Sequence, residues 1–447
     1  MTIKQIINNY NEYNKQEITL KGWVSTNRGN NKIRFIEIND GSTVKNLQVV
    51  LKMDSVDLAA VEQAKIGSAI CVGGTLLTTE KAQQPIELQA IQFELLKGTD
   101  EDYPIQKKEI TLDYLREIPH LRHRTNVFRS VMLIRSVLAQ EIHKYFAAND
   151  FLYCNSPIIT SNDGEGAGEL FVVDDENKDQ FFKQKATLGV TGQLHAESYA
   201  LGFNKVYTFA PTFRAEMSHT SRHAAEFWMI EPECSFYDLK QIIKLADDLL
   251  KTVIKNTIEK LPHEFEFLQA NVKSDLLDTL HKFINKKLTV LEYKDALEIL
   301  KAHADKFEEK DFSFGIDLGS EHEKFLAGEY VQGPVAVINY PKAIKAFYMY
   351  QNDDNQTVAA FDLLVPGIGE LIGGSQRETN YEKLLARMNE LNMSIEPLQW
   401  YLDLRRFGDA MSSGFGIGFE RLVMYVTGMS NIRDVIPYPR TPGNLKM

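Results

Sequence analysis

Hydrophobic and polar residues alternate over the first hundred positions in short runs that are typical of half-buried β-strands. In the last of these runs, Ile86, Leu88 and Ala90 alternate with polar residues, as a strand with one buried face requires. The runs are ITLKGWVSTNR, KIRFIEIND, KNLQVVLK, SAICVGGTL and PIELQAIQFELL. Five strands in about 95 residues predict a small closed barrel over residues 1–102, and the five-stranded barrel of this size is the OB-fold.

The acidic, proline-containing stretch KGTDEDYPIQKKEI follows the last of these strands. It predicts a hinge, which we place at residues 103–125. Apolar residues then recur at helical spacing from Phe128 to Tyr145. A further helix is predicted to begin at Asp238, because Gln241 stands three positions on as its capping partner.

The runs PVAVINYP, KAFYMYQ, TVAAFDLLV and GELIGG predict consecutive strands joined by short turns. Short connections favour antiparallel pairing, so the predicted fold class is α+β. We expect residues 126–447 to form an antiparallel sheet flanked by helices. A helical insertion is expected around residues 240–330, and the sequence assigns no chemistry to it.

Composition and length indicate the number of domains and disfavour several classes of protein. The chain has 447 residues, of which 44% are hydrophobic and 25% charged, with a net charge of -11. This length predicts two or three domains, and the acidic balance argues against wholesale nonspecific binding to nucleic acid. No apolar run approaches the ~20 residues of a membrane span, so we expect a cytoplasmic protein without membrane contact. The three cysteines are far apart, which disfavours a zinc site or a disulfide framework.

Two stretches concentrate candidate chemistry. In TFRAEMSHTSRHAAEFWMIEPE, two strand-like runs flank a long polar loop that carries Arg214, Glu216, Arg222 and His223. A loop of this length is uncommon in a hairpin unless it has a function. In SGFGIGFERLVMYVTG, alternate glycines precede an apolar helix. This spacing is not the dinucleotide-binding G-x-G-x-x-G, but it leaves one strand face open to a flat ligand.

These stretches resemble the motifs of a known family, the class II aminoacyl-tRNA synthetases. FRAE with His223 and Phe227 resembles motif 2, GFGIGFERL resembles motif 3, and the helix ending in NSPIIT at Pro157 resembles motif 1. The barrel places the chain with the aspartate, asparagine and lysine subgroup. TGQLHAESYALGFNKVYTFAPTFRAE, FDLLVPGIGELIGGSQRE and IRDVIPYPRTPG look like the asparaginyl enzymes of bacterial type.

The resemblance implies an enzyme that makes asparaginyl-adenylate from ATP and L-asparagine, with Mg²⁺, and transfers asparagine to tRNA(Asn). Arg214 would grip the α-phosphate, Glu216 would read the adenine amino group, and Phe227 and Arg421 would sandwich the adenine. The full set implied for ATP is Arg214, Glu216, Arg222, His223, Phe227, Glu370, Gly418, Glu420 and Arg421, with Arg214 and Arg421 as catalytic residues. Glu370 would hold the metal, with Asp362 as the weaker candidate. A homodimer through the motif 1 region around Pro157 is also implied.

The amino-acid pocket implied by the resemblance comprises Glu165, Gln193, Ala196, Glu226 and Arg377. Arg377 would contact the side-chain oxygen of the substrate. Aspartyl enzymes usually carry a lysine where Ala196 stands, and a pocket without that cation favours a neutral amide over a carboxylate. Glu226 would accept from the amide nitrogen, unless it is an outward-facing strand acid.

The barrel is expected to read the anticodon, since unpaired bases are recognised by stacking and edge hydrogen bonds on OB surfaces. Arg28, Phe35 and Gln48 match residues with that use. Phe35 would stack on the central base, provided that Ile36 rather than Phe35 serves the barrel core.

The chain departs from the family at Met217 and Ser412, where an asparagine and a histidine are usual. Two alternatives remain at this point: an aspartyl enzyme, strict or non-discriminating, and a non-catalytic RNA-binding paralogue or asparagine synthetase relative. The presence of Arg214, Glu216 and Arg421 argues against a dead site.

Overall fold

The computed structural model describes residues 1–52, 54, 56–79, 84–108, 110–162, 164, 169–174, 181–218 and 220–447. The chain forms two compact units. Unit 1 comprises Met1–Ile134 and Leu261–Asn271, and unit 2 comprises Arg135–Lys260 and Val272–Met447. Among the helices described, none is both long enough and apolar enough to cross a membrane.

The helices and strands alternate along much of the chain. In chain order the helices are α1 Ile3–Asn8, α2 Tyr10–Tyr13, α3 Leu58–Gln63, α4 Leu112–Glu117, α5 Pro119–Arg122, α6 Asn126–Ala148, α7 Gln193–Phe203, α8 Leu239–Lys260, α9 Pro262–Asn271, α10 Leu276–Asn285, α11 Tyr293–Ala302, α12 Ser320–Phe325, α13 Tyr381–Glu390, α14 Gln399–Leu404 and α15 Phe419–Thr427. The strands are β1 Glu17–Gly29, β2 Ile33–Asn39, β3 Leu47–Lys52, β4 Ala69–Thr78, β5 Ile86–Lys97, β6 Leu152–Tyr153, β7 Ile159–Thr160, β8 Val172–Asp174, β9 Ala186–Leu188, β10 Lys205–Phe213, β11 Glu226–Ser235, β12 Thr289–Glu292, β13 Val335–Ile338, β14 Ala360–Val365, β15 Gly369–Gln376 and β16 Ser412–Gly418.

Unit 1 contains a closed barrel with the strand order β1-β2-β3-β5-β4. Strand β1 pairs with both β2 and β4, which closes the ring. The alternation found in the sequence fixes the core, because Ile36 and Ile38 of β2 and Leu88 of β5 are fully buried. The predicted five-stranded OB barrel is confirmed.

Unit 2 contains a sheet with the strand order β12-β13-β14-β15-β16-β11-β10-β6. From β13 to β10 the neighbouring strands are antiparallel, while β12 and β6 join the two edges in parallel. A small sheet with the order β7-β9-β8 lies in the same unit. Helices and an antiparallel sheet in one unit confirm the predicted α+β class.

The predicted start of α8 is also confirmed. The backbone N–H of Gln241 donates to the Asp238 carboxylate at 2.7 Å, and the backbone N–H of Asp238 donates to the Gln241 side chain at 3.0 Å. These reciprocal bonds satisfy two donors that the first turn of a helix leaves without partners. Helix α8 then ends at Lys260, and α9, which follows it directly, belongs to unit 1.

Within unit 1, α9 is fastened to the segment between β2 and β3 by a buried carboxylate. Glu264 of α9 is 1% exposed, and its Oε1 accepts hydrogen bonds from the Thr43 hydroxyl at 2.7 Å and the Val44 backbone N–H at 2.9 Å. Thr43 and Val44 are buried as well. Without the carboxylate, a buried N–H and a buried hydroxyl would lose their acceptor.

We therefore expect Glu264→Ala to lower the free energy of unfolding by about 3 kcal/mol, because two hydrogen bonds to a charged group are lost inside the protein. The matched control is Glu266→Ala on the same helix, whose carboxylate is exposed and 4.0 Å from Lys45. Exposed pairs of this kind contribute about 0–1 kcal/mol. Chemical denaturation of the full chain measures both, and equal losses in the two variants would contradict this role of Glu264.

Candidate active site

The central feature of unit 2 is the hairpin of β10 and β11, in which Thr212 pairs with Phe227 and Phe213 with Glu226. Residues 214–218 and 220–225 lie in the hairpin loop. Its base is closed by a hydrogen bond from the Arg214 N–H to the Ala225 carbonyl at 3.0 Å. Strand β16 pairs with the other edge of β11, with Met229 opposite Gly418. This register places the first turn of α15 beside the open end of the hairpin.

One cavity lies where these elements meet. Its lining includes every residue that the resemblance implied for ATP, so the structure brings together side chains that are up to about two hundred positions apart in the chain. The lining residues are Arg214, Glu216, Ser218, Arg222, His223, Ala224, Ala225, Phe227, Met229, Glu370, Leu371, Gly416, Gly418, Glu420, Arg421, Ile432 and Pro442.

Two arginines from different elements line this cavity. The Arg214 guanidinium lies over the Phe227 ring, with its carbon 5.4 Å from the ring centroid, within the range of a cation–π contact. Arg421 donates from Nη1 to Glu370 Oε2 at 3.2 Å. The aliphatic part of Arg421 would be in ordinary contact, at 3.7–3.8 Å, with a side chain at Gly418.

Arg222 holds the tip of the hairpin loop against two other segments. Arg222 donates from Nη1 to the Ser320 hydroxyl at 2.8 Å and from Nη2 to the Glu370 carbonyl at 3.4 Å. Burial, followed by the charge of Arg421, lowers the pKa of Arg222, and the same two causes lower the pKa of His223. At neutral pH His223 is therefore an uncharged ring, while Arg222 remains a cation.

Two acids, Glu370 and Asp362, lie beside Gly373 on β15, and a third, Glu323, is bonded to the backbone of Glu370. A Cβ at Gly373 would lie 3.0 Å from Glu370 Oε1 and 3.6 Å from Asp362 Oδ1. Asp362 Oδ2 accepts from Lys345 Nζ at 2.7 Å, and Glu323 Oε2 accepts from the Glu370 N–H at 3.0 Å. Sequence reasoning missed Glu323 and Lys345, because they come from segments that resemble none of the motifs.

The pKa values of these acids diverge. Burial, reinforced by the charge of Glu370, raises the pKa of Glu323 to about 8. Burial also raises the pKa of Asp362 in spite of Lys345. In Glu370 burial is outweighed by Arg421, Lys345 and Arg222, so its pKa lies below the ordinary value. Glu370 is therefore the acid that stays ionised across the physiological range.

A second group of buried charges lies on the same face of β11 as Phe227 and Met229. Alternation along the strand places Glu231 and Glu233 on that face. Glu231 accepts from the hydroxyls of Thr191 and Thr208 and, at 2.9 Å, from the Gly192 N–H. Both acids are buried. In the sequence they stand in the strand-like run IEPEC, and two acids within such a run are the signal that could have identified them.

Arg377 is 2% exposed and is bound on two sides. Its Nε and Nη2 donate to the Glu233 carboxylate, the first at 3.1 Å, and its Nη1 donates to the Ser375 hydroxyl at 2.7 Å. Burial alone would lower the pKa of Arg377, but the carboxylates of Glu233 and Glu197 raise it. The guanidinium is thus a permanent, paired cation.

Gln193 begins α7 and joins this group through Glu197. Its Nε2 donates to Glu197 Oε1 at 3.1 Å, while Glu197 Oε2 accepts from Arg405 Nη2 at 3.1 Å and from the Tyr401 hydroxyl at 2.6 Å. Glu165, also expected near the substrate, lies outside the residues that the structure describes.

The structure gives two residues implied for the amino-acid pocket, Glu226 and Ala196, surroundings that differ from those their implied roles require. Glu226 lies on the opposite face of β11 from Phe227 and Met229, because adjacent strand residues point to opposite faces. Ala196 is fully buried in an apolar cluster with Cys154, Ala200 and Val206. Glu420 lines the cavity, as implied for ATP, and its carboxylate also accepts from the Trp228 N–H at 2.9 Å and from Arg135 at 2.7 Å.

The glycines of β16 differ in how tightly they are enclosed. A Cβ at Gly414 would lie 2.2 Å from the Glu233 carboxyl group, and one at Gly416 would lie 2.7 Å from the Met229 methyl. Gly414 therefore leaves room for the Glu233–Arg377 pair, while the space at Gly418 stays open toward the cavity. Of the two departures from the family, Met217 is exposed in the loop and Ser412 is buried at the start of β16.

The barrel residues Arg28, Phe35 and Gln48 lie on one face. Arg28 pairs with Phe35 across β1 and β2, and Phe35 pairs with Val50, two residues from Gln48 on β3. Residues opposite one another, and residues two apart in a strand, share a face. Ile36 is buried on the other face, in the core. Phe35 is half-buried, and Gln48 donates to Glu87 at 3.0 Å.

Comparison with known proteins agrees with both units. The family described as tRNA synthetases class II (D, K and N) matches residues 111–442, and the OB-fold nucleic acid binding domain matches residues 18–96. The asparagine--tRNA ligase of Mycoplasma mobile is 63% identical over 446 residues, which cover 100% of both chains. That of Metamycoplasma arthritidis is 64% identical over 434 residues, 97% of this chain and 96% of the other. Among solved structures, asparaginyl-tRNA synthetase from Pyrococcus horikoshii complexed with asparaginyl-adenylate gives a TM-score of 0.89 at 31% identity, covering 100% of this chain and 99% of that chain.

Proposed function

The chain belongs to the class II tRNA synthetases of the D, K and N group, and on that basis we propose that it ligates L-asparagine to tRNA(Asn) through an asparaginyl-adenylate made from ATP. The observation that carries the proposal is the shared cavity of Arg214, Phe227 and Arg421 on the antiparallel sheet. The two relatives named above, which cover 100% and 97% of the chain, are asparagine--tRNA ligases.

Formation of the adenylate needs positioning and charge neutralisation more than proton transfer. The asparagine carboxylate is ionised at neutral pH, so it attacks the α-phosphate without a general base, and the bond from that phosphorus to the bridging oxygen breaks as pyrophosphate leaves. Arg214, which follows β10 directly, would neutralise the α-phosphate and the carboxylate with a planar fork. Phe227 and Arg421 offer flat surfaces for the adenine ring.

The acids beside Gly373 fit a magnesium ion that also binds phosphate. Magnesium in nucleotide sites is held by one or two carboxylates together with the phosphates of the substrate. Glu370 Oε1 and Asp362 Oδ1 both lie close to the position that a side chain at Gly373 would fill, so the absence of that side chain leaves space there. Glu370 and Asp362 would hold the ion. When bound, Mg²⁺ would offset the charge of the polyphosphate.

The charges around Arg377 support asparagine as the substrate rather than aspartate. Arg377 is paired with Glu233, and Arg405 is paired with Glu197 and, at 3.5 Å, with Asp409. A second carboxylate brought by aspartate would therefore find these cations already neutralised, and its burial would be costly. The side-chain amide of asparagine carries no charge and avoids that cost.

The direct test is pyrophosphate exchange into ATP with asparagine and aspartate in parallel. We expect exchange with asparagine and little with aspartate. Arg421→Ala should lower kcat/KM for ATP by about 100-fold, since one preorganised electrostatic contact is commonly worth that much. The control is Arg406→Ala, whose side chain is 54% exposed and pairs only with Asp403 among the ion pairs found. Exchange driven by aspartate as well as by asparagine, or a wild-type kcat/KM for ATP in Arg421→Ala, would refute the proposal.

The barrel is proposed to bind the anticodon of the tRNA. One face of the barrel offers a cation, an aromatic ring and an amide, from Arg28, Phe35 and Gln48. Proteins that bind single-stranded nucleic acid use such groups to contact phosphates, to stack on bases and to bond base edges. The match of residues 18–96 to a nucleic acid binding OB-fold supports this proposal.

Phe35→Ala is expected to reduce charging of tRNA(Asn) by about tenfold or more, because stacking of one base on an aromatic ring contributes about 1–3 kcal/mol. Pyrophosphate exchange, which does not involve tRNA, should be unchanged. Ile91→Ala serves as control, since it also removes an exposed apolar side chain from the barrel. Equal losses of charging and exchange in Phe35→Ala would contradict a role of Phe35 that is confined to anticodon binding.

A homodimer through the motif 1 region is the third element of the proposal. The exposed apolar side chains in and near β6 and β7 are Leu152, Tyr153, Ile158 and Ile159. Clusters of exposed apolar groups mark protein interfaces, and symmetric dimers are the commonest homo-oligomers.

Ile158→Glu is expected to shift the protein from dimer to monomer at micromolar concentration, because it places a charge in the apolar interface. Val290→Glu changes an equally exposed apolar residue on β12 and should leave the dimer intact. Sedimentation velocity distinguishes the two results. A wild-type protein that sediments as a monomer would rule out this interface.

A further inference from the structure

Helix α12 meets the hairpin loop at a point that no recognised motif predicts. It comes from the region around 240–330, to which the sequence assigned no chemistry. Ser320 and Glu323 stand three positions apart in this helix and so share one of its faces. That face is directed at Arg222 and at the turn before Glu370.

Ser320 fixes one end of the Arg222 guanidinium. Its hydroxyl accepts from Nη1 at 2.8 Å, while the Glu370 carbonyl accepts from Nη2 at 3.4 Å. A guanidinium has five N–H donors in a rigid fork. Two bonds at its terminal nitrogens set the plane of the fork and leave N–H groups for a phosphate.

Glu323 holds the backbone of Glu370, which is the second residue that binds Arg222. Its Oε2 accepts from the Glu370 N–H at 3.0 Å. Gly369 has φ +86, and a Cβ there would lie 2.5 Å from Glu323 Oε2 and 3.0 Å from Glu323 Cβ. The chain therefore requires glycine at 369 both for its backbone conformation and for the space that Glu323 occupies.

We infer that α12 belongs to the nucleotide site, and that Ser320 and Glu323 are positioning residues that hold Arg222 and the Glu370 turn for the polyphosphate of ATP. This inference rests on the proposed function. It assigns a role in ATP binding to a segment outside the motifs, through two side chains that need not touch the nucleotide.

The chain supplies a matched control in the same helix. Glu321 also accepts two backbone N–H groups, those of Glu308 at 3.1 Å and Glu309 at 2.9 Å. It bonds to a different segment, and the ion pair found for it is with His322 at 3.9 Å. Glu321→Ala therefore removes an acid and two hydrogen bonds from α12 without changing the support of Arg222.

The experiment measures pyrophosphate exchange at varied ATP and varied asparagine, together with direct binding of Mg-ATP by calorimetry and the thermal unfolding midpoint. Glu323→Ala is expected to lower kcat/KM for ATP roughly tenfold, as loss of one hydrogen bond in a charged network does, and Ser320→Ala to lower it several-fold. KM for asparagine should stay within about twofold of the wild-type value. Glu323→Gln keeps an acceptor for the Glu370 N–H and should restore most of the loss, and Glu321→Ala should match the wild type.

Three outcomes would overturn the inference: parallel losses for ATP and asparagine, an equal loss in Glu321→Ala, or wild-type ATP binding in Ser320→Ala and Glu323→Ala. If Glu323→Ala does not fold, Ser320→Ala decides the matter, because it removes only an exposed hydroxyl. In an Arg222→Ala background, Ser320→Ala should then have no further effect, and an undiminished effect would refute positioning through Arg222. A wild-type protein that binds Mg-ATP but shows no exchange with asparagine would refute the proposed function instead.

Discussion

The antiparallel pairing of β11 with β16 is the constraint on which the site depends. Met229 lies opposite Gly418 and Glu233 opposite Gly414, so one register fixes both the cavity and the buried charges behind it. A shift of one residue would turn Phe227, Met229, Glu231 and Glu233 to the other face. The glycines of β16 are what permits the close approach, since a methyl group at Gly414 would overlap the Glu233 carboxyl group.

Charge pairing explains why the site contains so many oppositely charged side chains. Arg421 is paired with Glu370, Arg377 with Glu233, and Lys345 with Asp362. A buried ion without a partner costs several kcal/mol, so Arg421, Arg377 and Lys345 are each kept beside an acid. The same pairing supports selection for a neutral side chain, because the cations behind the cavity are already matched. Substrate choice in this account follows from the arrangement of charges rather than from one residue.

Sequence patterns were sufficient for the barrel, the α+β class and the start of α8, because alternation, turn residues and capping are local signals. The residues implied for ATP were selected by the resemblance to the family, and all of them line the cavity. Sequence patterns could not predict α9 joining the barrel unit through Glu264, or α12 reaching Arg222, because these contacts join segments that are far apart in the chain. Two single residues, Glu226 and Ala196, could not be placed from the sequence either. The resemblance implied contacts with the substrate for both. Strand alternation turns Glu226 to the opposite face of β11, and helix packing buries Ala196 in an apolar cluster.

The most direct test of the central claim is a crystal structure of the protein with a non-hydrolysable ATP analogue. The account predicts that the nucleotide lies over the β11–β16 pair, with the guanidinium groups of Arg214 and Arg421 both in contact with it. A nucleotide bound elsewhere, or guanidinium groups turned away from it, would contradict the account.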